Sequence, residues 1–427
     1  MQLLDLITIF IFALGIVIMG LSFSGKGRNM KSFFAAGGAV PWAMSGLSLF
    51  MGFFSAGTFV VWGSIAYSLG WIAISIQWTM AIAGFVVGFF IAPRWHKTSA
   101  LTVAEYITRR LGVNTQKTYT YLFLFISLFT TGSFLYPVAK IVEVSTGMPL
   151  DLCILLLGGF CIVYVAAGGL WAVVSTDVLQ FIILTAAVLI VVPLSFGRVG
   201  GVVNFIESIP ATYFNLVNGE YTIGFIIAFG VYNAIFLGGN WAYVQRYASV
   251  NSQSSARKVG FLFGGLYVVS AVLWMLPPMI YRIVNPSLST IDAEGAYLMM
   301  CKEVLPAGLL GLMLSGMVFA TASSLNATLN ISSGVVTNDI FKRLFPQSSD
   351  KTLMRVARIS TIIFGLLAII VALLIPLMGG IVNVVISVAA LTGVPLYLPI
   401  IWTLFSKRQT EYSVITTTLV SLGANAF

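Results

Sequence analysis

Long stretches without charged side chains dominate this chain and restrict what it can fold into. A run of about twenty apolar residues is long enough to cross a bilayer as a helix. Only 8% of the 427 residues are charged, whereas a soluble globular protein carries about 25%. A β-barrel is disfavoured because its segments alternate in hydropathy over roughly ten residues, and these runs are continuous. The sequence therefore predicts an all-α polytopic membrane protein within a lipid bilayer.

The hydropathy pattern divides the chain into predicted spans that form one transmembrane domain, residues 1–427, with no separate soluble domain. The spans are predicted near residues 4–22, 41–68, 70–93, 118–142, 149–168, 173–196, 222–245, 259–283, 304–336, 356–377, 380–404 and 411–427. The cytoplasmic loop after the third span contains "LTVAEYITRRLG", residues 101–112, whose alternating apolar and charged residues predict a surface amphipathic helix.

The basic residues orient these spans. The alternate loops that begin after the first span hold 18 of the 22 Lys and Arg residues. Loops rich in Lys and Arg remain in the cytoplasm, so the N-terminus is expected outside and the protein in the inner (plasma) membrane. The net charge of +9 is explained by this orientation, and no nucleic-acid partner is expected.

Two predicted spans contain glycines that would permit a helix to unwind. The second holds "MGFFSAGTFVVWGS", residues 51–64, and the seventh holds "YNAIFLGGNWAY", residues 232–243. Close packing through small residues is the alternative explanation. If the first span is peripheral, each interrupted span is the first of a set of five. Because five is odd, the two sets are inverted, and such pairs of broken helices indicate a transport site at the bilayer midplane.

Several motifs in order along the chain resemble the sodium/solute symporter family, which includes sodium/glucose-like and sodium/proline-like transporters. They are "FFAAGGAVPWAMSGLSLF" (33–50), "TVAEYITRR" (102–110), "GGLWAVVSTDVLQ" (168–180), "NWAYVQRYAS" (240–249) and "SGMVFATASSLNATLN" (315–330).

The resemblance implies a LeuT-like fold of 5+5 inverted repeats. The parts would be a peripheral helix at 4–22, a first repeat at 41–196, a second at 222–404 and a truncated further helix at 411–427. Members of the family usually continue further than this chain.

The stretch "ATASSLNATLN", residues 320–330, places six hydroxyl or amide side chains within an apolar span. Positions i, i+3 and i+4 share a helix face, so the carbonyl of Ala320 and the hydroxyls of Ser323 and Ser324 can converge on a cation. The resemblance implies sodium as coupling ion and adds the carbonyls of Met51 and Phe54. Back-bonding of the serines to their own helix is the alternative.

Asp177 is one of very few acids within a predicted span, and such residues are functional by default. Its alternative role is to stabilise a helix N-terminus. Some family members use this aspartate for a second sodium, together with further hydroxyls. Here those positions hold Asn326 and Ala327, so one sodium is predicted, and Asp177 remains a candidate second cation or coupling site.

The interrupted spans are expected to line the solute pocket. Ser55 and Thr58 follow the predicted sodium-binding carbonyls and are expected to contact the solute. The resemblance implies further contacts at Gln77, Asn233 and Phe236, the last as an inner gate. The alternative for each is packing or an interhelical hydrogen bond. No charged residue is placed in this pocket, and the fourth span lacks the arginine that family members use for acidic sugars. A neutral or compact zwitterionic solute is predicted.

The sequence therefore predicts a secondary active transporter, with a monomeric transport unit, that imports a small neutral solute such as a sugar or amino acid with sodium by alternating access. An enzyme is disfavoured because no paired carboxylates, metal-ligand cluster or nucleophile elbow occurs in the spans. A channel is disfavoured by the internal repeat. A proton-coupled symporter and a transporter-like sensor with little flux remain open.

Overall fold

A computed structural model of the protein describes residues 2–24, 39–100, 102–167, 170–379 and 381–425. The side chains of a few residues within these helices, including Ser323, lie outside the described set. The described regular structure is helical apart from one isolated bridge between Val40 and Val250. The prediction of an all-helical chain is therefore confirmed.

We number the helices of eight or more residues in chain order. They are α1 Leu3–Ser24, α2 Trp42–Met51, α3 Trp71–Val86, α4 Val103–Leu111, α5 Val113–Thr146, α6 Leu150–Ala167, α7 Leu170–Arg198, α8 Ile223–Gly239, α9 Trp241–Ala248, α10 Gln253–Val284, α11 Ala296–Val304, α12 Leu309–Val335, α13 Asp350–Leu374, α14 Ile381–Thr392 and α15 Glu411–Asn425.

Shorter helical segments extend or connect these helices. They are Thr58–Trp62, Gly63–Leu69, Val87–Ile91, Ala92–Lys97, Val202–Ser208, Ala211–Phe214, Thr290–Ala293, Val336–Phe341, Lys342–Leu344, Ile375–Met378, Gly393–Tyr397 and Leu398–Thr403.

Within the described residues, five helical segments are long and apolar enough to cross a membrane, and a bent pair adds a sixth. The five are Trp71–Lys97, Val113–Thr146, Val174–Arg198, Gln253–Val284 and Asp350–Met378. The other predicted spans appear as shorter apolar helices because turns interrupt them or because part of them is not described. Many large apolar side chains remain exposed, for example Phe10 at 67% and Ile363 at 50%. The molecule is a multi-pass membrane protein whose apolar exterior suits lipid.

Polar side chains that precede helices fix where several of them begin. The N-cap oxygen of each accepts a hydrogen bond from a backbone N–H of the first turn, which would otherwise lack a partner. These caps are Thr102, Thr222, Asn240, Ser252 and Ser349. The cap at Thr102 starts α4, which buries Val103, Ile107 and Leu111, as expected for the amphipathic surface helix.

Helix α1 is joined to α12 through a buried carboxylate. The Oδ1 atom of Asp5, which is 1% exposed, accepts hydrogen bonds from the backbone nitrogens of Gly308 at 2.7 Å and Gly311 at 3.1 Å. An anion at a helix N-terminus stabilises the unpaired N–H groups and the helix dipole. Helix α1 therefore stabilises the start of α12, the helix that carries Ser323 and Ser324.

Helices α3 and α10 approach each other closely through two glycine pairs. The segment "GFVVG" places Gly84 in the last turn of α3 and Gly88 in the helical segment that follows it, and "GFLFG" places Gly260 and Gly264 on α10. A methyl group added at Gly260 would lie 2.5 Å from the Cα of Gly88, and one at Gly84 would lie 2.8 Å from the Cα of Gly264. Backbone therefore contacts backbone, as in small-residue crossings of membrane helices.

Candidate functional site

The second predicted span is interrupted at Gly52, one of the glycines that predicted an unwound helix. Helix α2 ends at Met51, residues 52–55 form turns and bends, and helical structure resumes at Ala56. Backbone carbonyls in residues 52–55 lie outside a regular helical ladder. Non-helical backbone is tolerated at membrane depth where it is buried in protein or lines a cavity. Met51 and Phe54 are 0% and 1% exposed, so the break lies inside the protein.

Helix α12 lies directly against this break. The hydroxyl of Ser324 donates to the carbonyl of Gly52 at 3.2 Å and lies 3.5 Å from the carbonyl of Ala320. The backbone nitrogen of Ala56 donates to the hydroxyl of Thr321 at 3.0 Å. The structure thus brings Ser324 and Thr321 to the unwound segment, at Gly52 and Ala56. The contact of Ser324 with Ala320 lies within α12 and is the back-bonding named above as the alternative. The side chain of Ser323 falls outside the description.

The oxygens at this contact are neutral carbonyl and hydroxyl groups. Unwound backbone carbonyls at broken membrane helices can coordinate sodium. Among the described residues, no group of three or more His, Cys, Asp or Glu side chains could hold a metal ion. The donor set is of the oxygen type that hard cations take.

The seventh predicted span is bent by 59° between α8 and α9. At the bend, Asn240 accepts from the backbone nitrogen of Ala242 at 2.9 Å and lies 3.3 Å from the Tyr397 hydroxyl. The indole nitrogen of Trp95 donates to the carbonyl of Gly238 at 2.7 Å. Side chains from neighbouring elements thus bond backbone groups next to the bend. The second predicted interruption is observed one residue after the glycine pair.

Residues of both breaks and of α12 line one cavity of about 640 Å³, part of it open to solvent. Its lining includes Gly52, Asn240, Tyr243, Ser324 and Tyr397. The hydropathy pattern gave no signal for Tyr243 or Tyr397. Asn240 could have been found, because an amide that follows two glycines and precedes a helical pattern is an N-cap signature.

The predicted solute contacts do not line this cavity. Thr58 donates its hydroxyl hydrogen to the carbonyl of Phe53, and Asn233 donates to the hydroxyl of Thr79 at 2.8 Å. Gln77 is 4% exposed, and its side-chain nitrogen has no hydrogen-bond partner within the described structure. Ser55 is likewise buried. A buried amide donor is costly unless a partner satisfies it, so Gln77 retains donor capacity for a ligand.

Phe236 belongs to an aromatic cluster at the two breaks. Its ring lies 6.2 Å from that of Phe53, 5.6 Å from that of Tyr243 and 6.1 Å from that of Tyr397, measured between centroids. The cluster joins the unwound part of the second span to the bend of the seventh. Phe236 therefore packs between the two broken spans, and its role as a gate stays a prediction.

Asp177 lies beyond the first turn of α7, which begins at Leu170, so it does not cap that helix. It is 0% exposed and accepts a hydrogen bond from the hydroxyl of Ser48 at 2.5 Å. Ser48 also accepts from the Nε of Arg246 at 3.2 Å. The hydropathy pattern placed Arg246 in a cytoplasmic loop, but it is 4% exposed within α9. The amphipathic spacing of residues 241–248 was the available signal.

A second cavity of about 530 Å³ lies between α9, the Ala92–Lys97 segment and the end of α12. Asn338 lines it, and the half-buried Asp339 follows, past the end of α12. Burial, followed by the negative charge of Glu105, raises the pKa of Asp339 to about 7, and Arg343 opposes this. The folded protein therefore retains a proton on Asp339 that the unfolded chain loses near pH 4.

This shift predicts a pH-dependent effect of Asp339→Asn. The folded state binds more protons than the unfolded state between about pH 4 and 7, so the wild type loses stability as the pH rises through that window. Asp339→Asn does not lose stability in this way, because asparagine does not titrate. Its melting temperature in detergent should exceed that of the wild type at pH 8, and the difference should shrink towards pH 5. Asp151→Asn, on an exposed residue, is the control. A difference independent of pH would contradict the assignment.

A family profile, related sequences and a solved structure all point to the same class of protein. The profile of the sodium:solute symporter family matches residues 33–420. A sodium/glucose cotransporter from Vibrio parahaemolyticus is 28% identical over 88% of this chain and 76% of its own length. A sodium/myo-inositol cotransporter 2 from Oryctolagus cuniculus is 26% identical over 86% of this chain and 60% of its own length.

A solved structure of a Na⁺-coupled sialic acid symporter, in a substrate-bound outward-open state, superposes with a TM-score of 0.86. It is 22% identical, and the match covers 99% of this chain and 91% of the other. At this identity the match shows a shared fold.

Proposed function

The chain belongs to the sodium:solute symporter family, and on that premise we propose that it imports a small neutral organic solute together with sodium by alternating access. One observation carries the proposal: Ser324 of α12 bonds the carbonyl of Gly52 in the unwound second span, at the wall of a cavity. A cation held between these two elements would join them. Sodium would then favour whichever state keeps them together.

We assign the sodium ligands to the carbonyls of Met51, Phe54 and Ala320 and the hydroxyls of Ser323 and Ser324. The Ser324 hydroxyl already faces the break, Ala320 lies one helical turn before it on α12, and Gly52 offers a further carbonyl between Met51 and Phe54. The Ser324 hydroxyl donates its hydrogen to the Gly52 carbonyl, and the lone pairs of its oxygen are the groups that would coordinate a cation.

The architecture that we infer is a 5+5 inverted repeat within one domain, with residues 41–196 and 222–404 as the two halves. Each half begins with a span that is broken, at residues 52–55 and at Asn240. This correspondence supports the repeat, and it favours a transport site between the breaks. The charge distribution supports an N-terminus outside the plasma membrane.

A neutral solute such as a sugar or amino acid is favoured by the charge balance of the site. Arg246 lines the cavity, but Ser48 joins it to the carboxylate of Asp177. The cavity therefore offers no uncompensated cation among its described residues to a carboxylate ligand. The relatives named for glucose and myo-inositol act on neutral polyhydroxyl compounds, which fits this expectation.

The test of this proposal is solute flux into proteoliposomes. Uptake of radiolabelled sugars and neutral amino acids is measured with an inward sodium gradient, with potassium replacing sodium, and with a proton gradient alone. Sodium-driven accumulation is expected. Accumulation driven only by protons would transfer coupling to Asp177, and solute binding without flux would indicate a sensor.

Replacing Gln77 by alanine should weaken the binding of the solute more than the binding of sodium. The unpartnered side-chain nitrogen of Gln77 is the donor that a solute oxygen would satisfy, and loss of one such bond costs about 1 kcal/mol. We expect the half-saturation concentration for the solute to rise roughly fivefold. The sodium half-saturation of the same variant serves as the control. Equal changes in both would argue that Gln77 only supports packing.

A further inference from the structure

Few charged side chains are buried in this protein. Among the described residues, Asp5, Asp177 and Arg246 are the charged side chains that fall in the buried class. Asp5 is satisfied by backbone N–H groups at the start of α12. Asp177 and Arg246 remain, on α7 and α9. They lie on the two sides of α2, and a single side chain of α2 joins them.

That side chain is Ser48, and its hydroxyl has a fixed direction. Arginine can only donate, so the Nε of Arg246 donates to the oxygen of Ser48 at 3.2 Å. The single hydrogen of Ser48 then points to the Oδ2 of Asp177 at 2.5 Å. Arg246 also donates to the carbonyl of Ala242 at 3.4 Å and to the side-chain oxygen of Gln245 at 3.1 Å. The guanidinium is therefore held in place.

This triad of Asp177, Ser48 and Arg246 lies next to the assigned sodium ligands. Ser48 and Gly52 are four residues apart at the end of α2, so they share a face about 6 Å apart along the helix. Gly52 is the residue whose carbonyl accepts from Ser324. Ser48, Gly52, Arg246 and Ser324 all line the same cavity. A cation at Ser324 would therefore experience the charges of Arg246 and Asp177.

The assigned sodium ligands carry no net charge. The affinity of such a site depends on the fixed charges around it, and in a protein interior those charges are only partly screened. Asp177 alone would increase the affinity for a cation, and Arg246 alone would decrease it. In the wild type the two are joined through Ser48, so their effects largely cancel.

We propose that Arg246 is a positioning residue that sets the sodium affinity of this transporter, by compensating the charge of Asp177 through Ser48. The inference rests on the sodium site assigned above. It gives Arg246 a role in keeping sodium binding weak enough for release, because a site that held the ion with the full charge of Asp177 would release it slowly.

The proposal predicts effects of opposite sign. Arg246→Gln leaves the negative charge and should lower the sodium half-saturation concentration. Asp177→Asn leaves the positive charge and should raise it. A unit charge roughly 10 Å from the ion, at an effective dielectric constant near 20, changes affinity on the order of tenfold. The double variant should return close to the wild-type value. A purely structural pair would give single variants that both weaken sodium binding.

Sodium binding is measured without transport, as the rise of the melting temperature in detergent on titration with sodium chloride against choline chloride at constant ionic strength. If Arg246→Gln fails to fold, Asp177→Asn compared with the double variant carries the same test. Removal of Arg246 from the Asp177→Asn background should then restore sodium affinity. Equal affinity in these two proteins would overturn the proposal.

Ser324→Ala is titrated in parallel. If it loses the sodium response while the charge variants match the wild type, the triad inference fails and the sodium site stands. If Ser324→Ala keeps the full sodium response, the assigned site itself is wrong, whatever the charge variants show.

Discussion

Replacing Gly260 with alanine is expected to lower the melting temperature of the purified protein by several degrees or to prevent folding. The added methyl carbon would lie 2.5 Å from the Cα and 2.7 Å from the backbone nitrogen of Gly88. Backbone atoms cannot rotate away as a side chain does, so α3 and α10 must separate along their length. Overpacking of this kind costs about 3 kcal/mol at the upper end of its usual range.

Gly265→Ala is the matched control, because it lies on the same helix and a Cβ there meets nothing within 4 Å. Alanine is also the better helix former, so this variant should be as stable as the wild type or slightly more so. Thermal unfolding of both proteins, followed by fluorescence-detected size exclusion in one detergent, is the measurement. Equal melting temperatures for the two variants would show that the α3–α10 crossing is looser than the structure indicates.

The breaks in the helices could be predicted because they depend on local chemistry. Gly238 and Gly239 precede Asn240, a good N-cap, and the chain bends at that point. Gly52 follows the last residue of α2, and the helix ends there. Glycine weakens a helix, and an amide or hydroxyl starts the next one. Both signals lie within a few residues, so they can be read without knowledge of the fold.

Contacts between distant segments could not be predicted in the same way. The close approach of Gly88 to Gly260 depends on two helices that are far apart in sequence. The burial of Arg246 depends on Ser48 and Asp177, which belong to two other helices. Hydropathy alone assigns an arginine near a span end to a loop. Only the packing of α2 against α7 and α9 shows that the charge of Arg246 has partners inside the protein.

The assigned sodium ligands illustrate both kinds of feature, the local signals and the contacts between distant segments. The face shared by Ala320 and Ser324 follows from helical periodicity, and the Ser324 hydroxyl lies against the Gly52 carbonyl of the unwound span. The bond from Ala56 to Thr321 required the register of α12 against that span. The roles of all five assigned ligands, Met51, Phe54, Ala320, Ser323 and Ser324, stay predictions.

Ser324→Ala is expected to remove most of the stabilisation that sodium gives and most sodium-dependent uptake. The variant loses the hydroxyl that faces the Gly52 carbonyl at 3.2 Å. Neutral oxygens must replace the water around the ion, so the loss of one ligand weakens a site that has no formal charge of its own. We expect the sodium half-saturation to rise at least tenfold, which corresponds to about 1.4 kcal/mol. Ser323→Ala is expected to have an effect of similar size.

Thr328→Ala is the control, because Thr328 is one turn further along α12, lines the same cavity and donates its hydroxyl to the carbonyl of Ser324. This variant therefore tests whether loss of any hydroxyl in the cavity is enough to weaken the sodium response. Melting temperatures are titrated with sodium, potassium and choline chlorides. A sodium-specific increase in the wild type and in Thr328→Ala, absent from Ser324→Ala, would support coupling through α12 and the broken second span. An unchanged increase in Ser324→Ala would place the ion elsewhere, and uptake as a function of pH would then decide whether the Asp177 carboxylate carries a coupled proton.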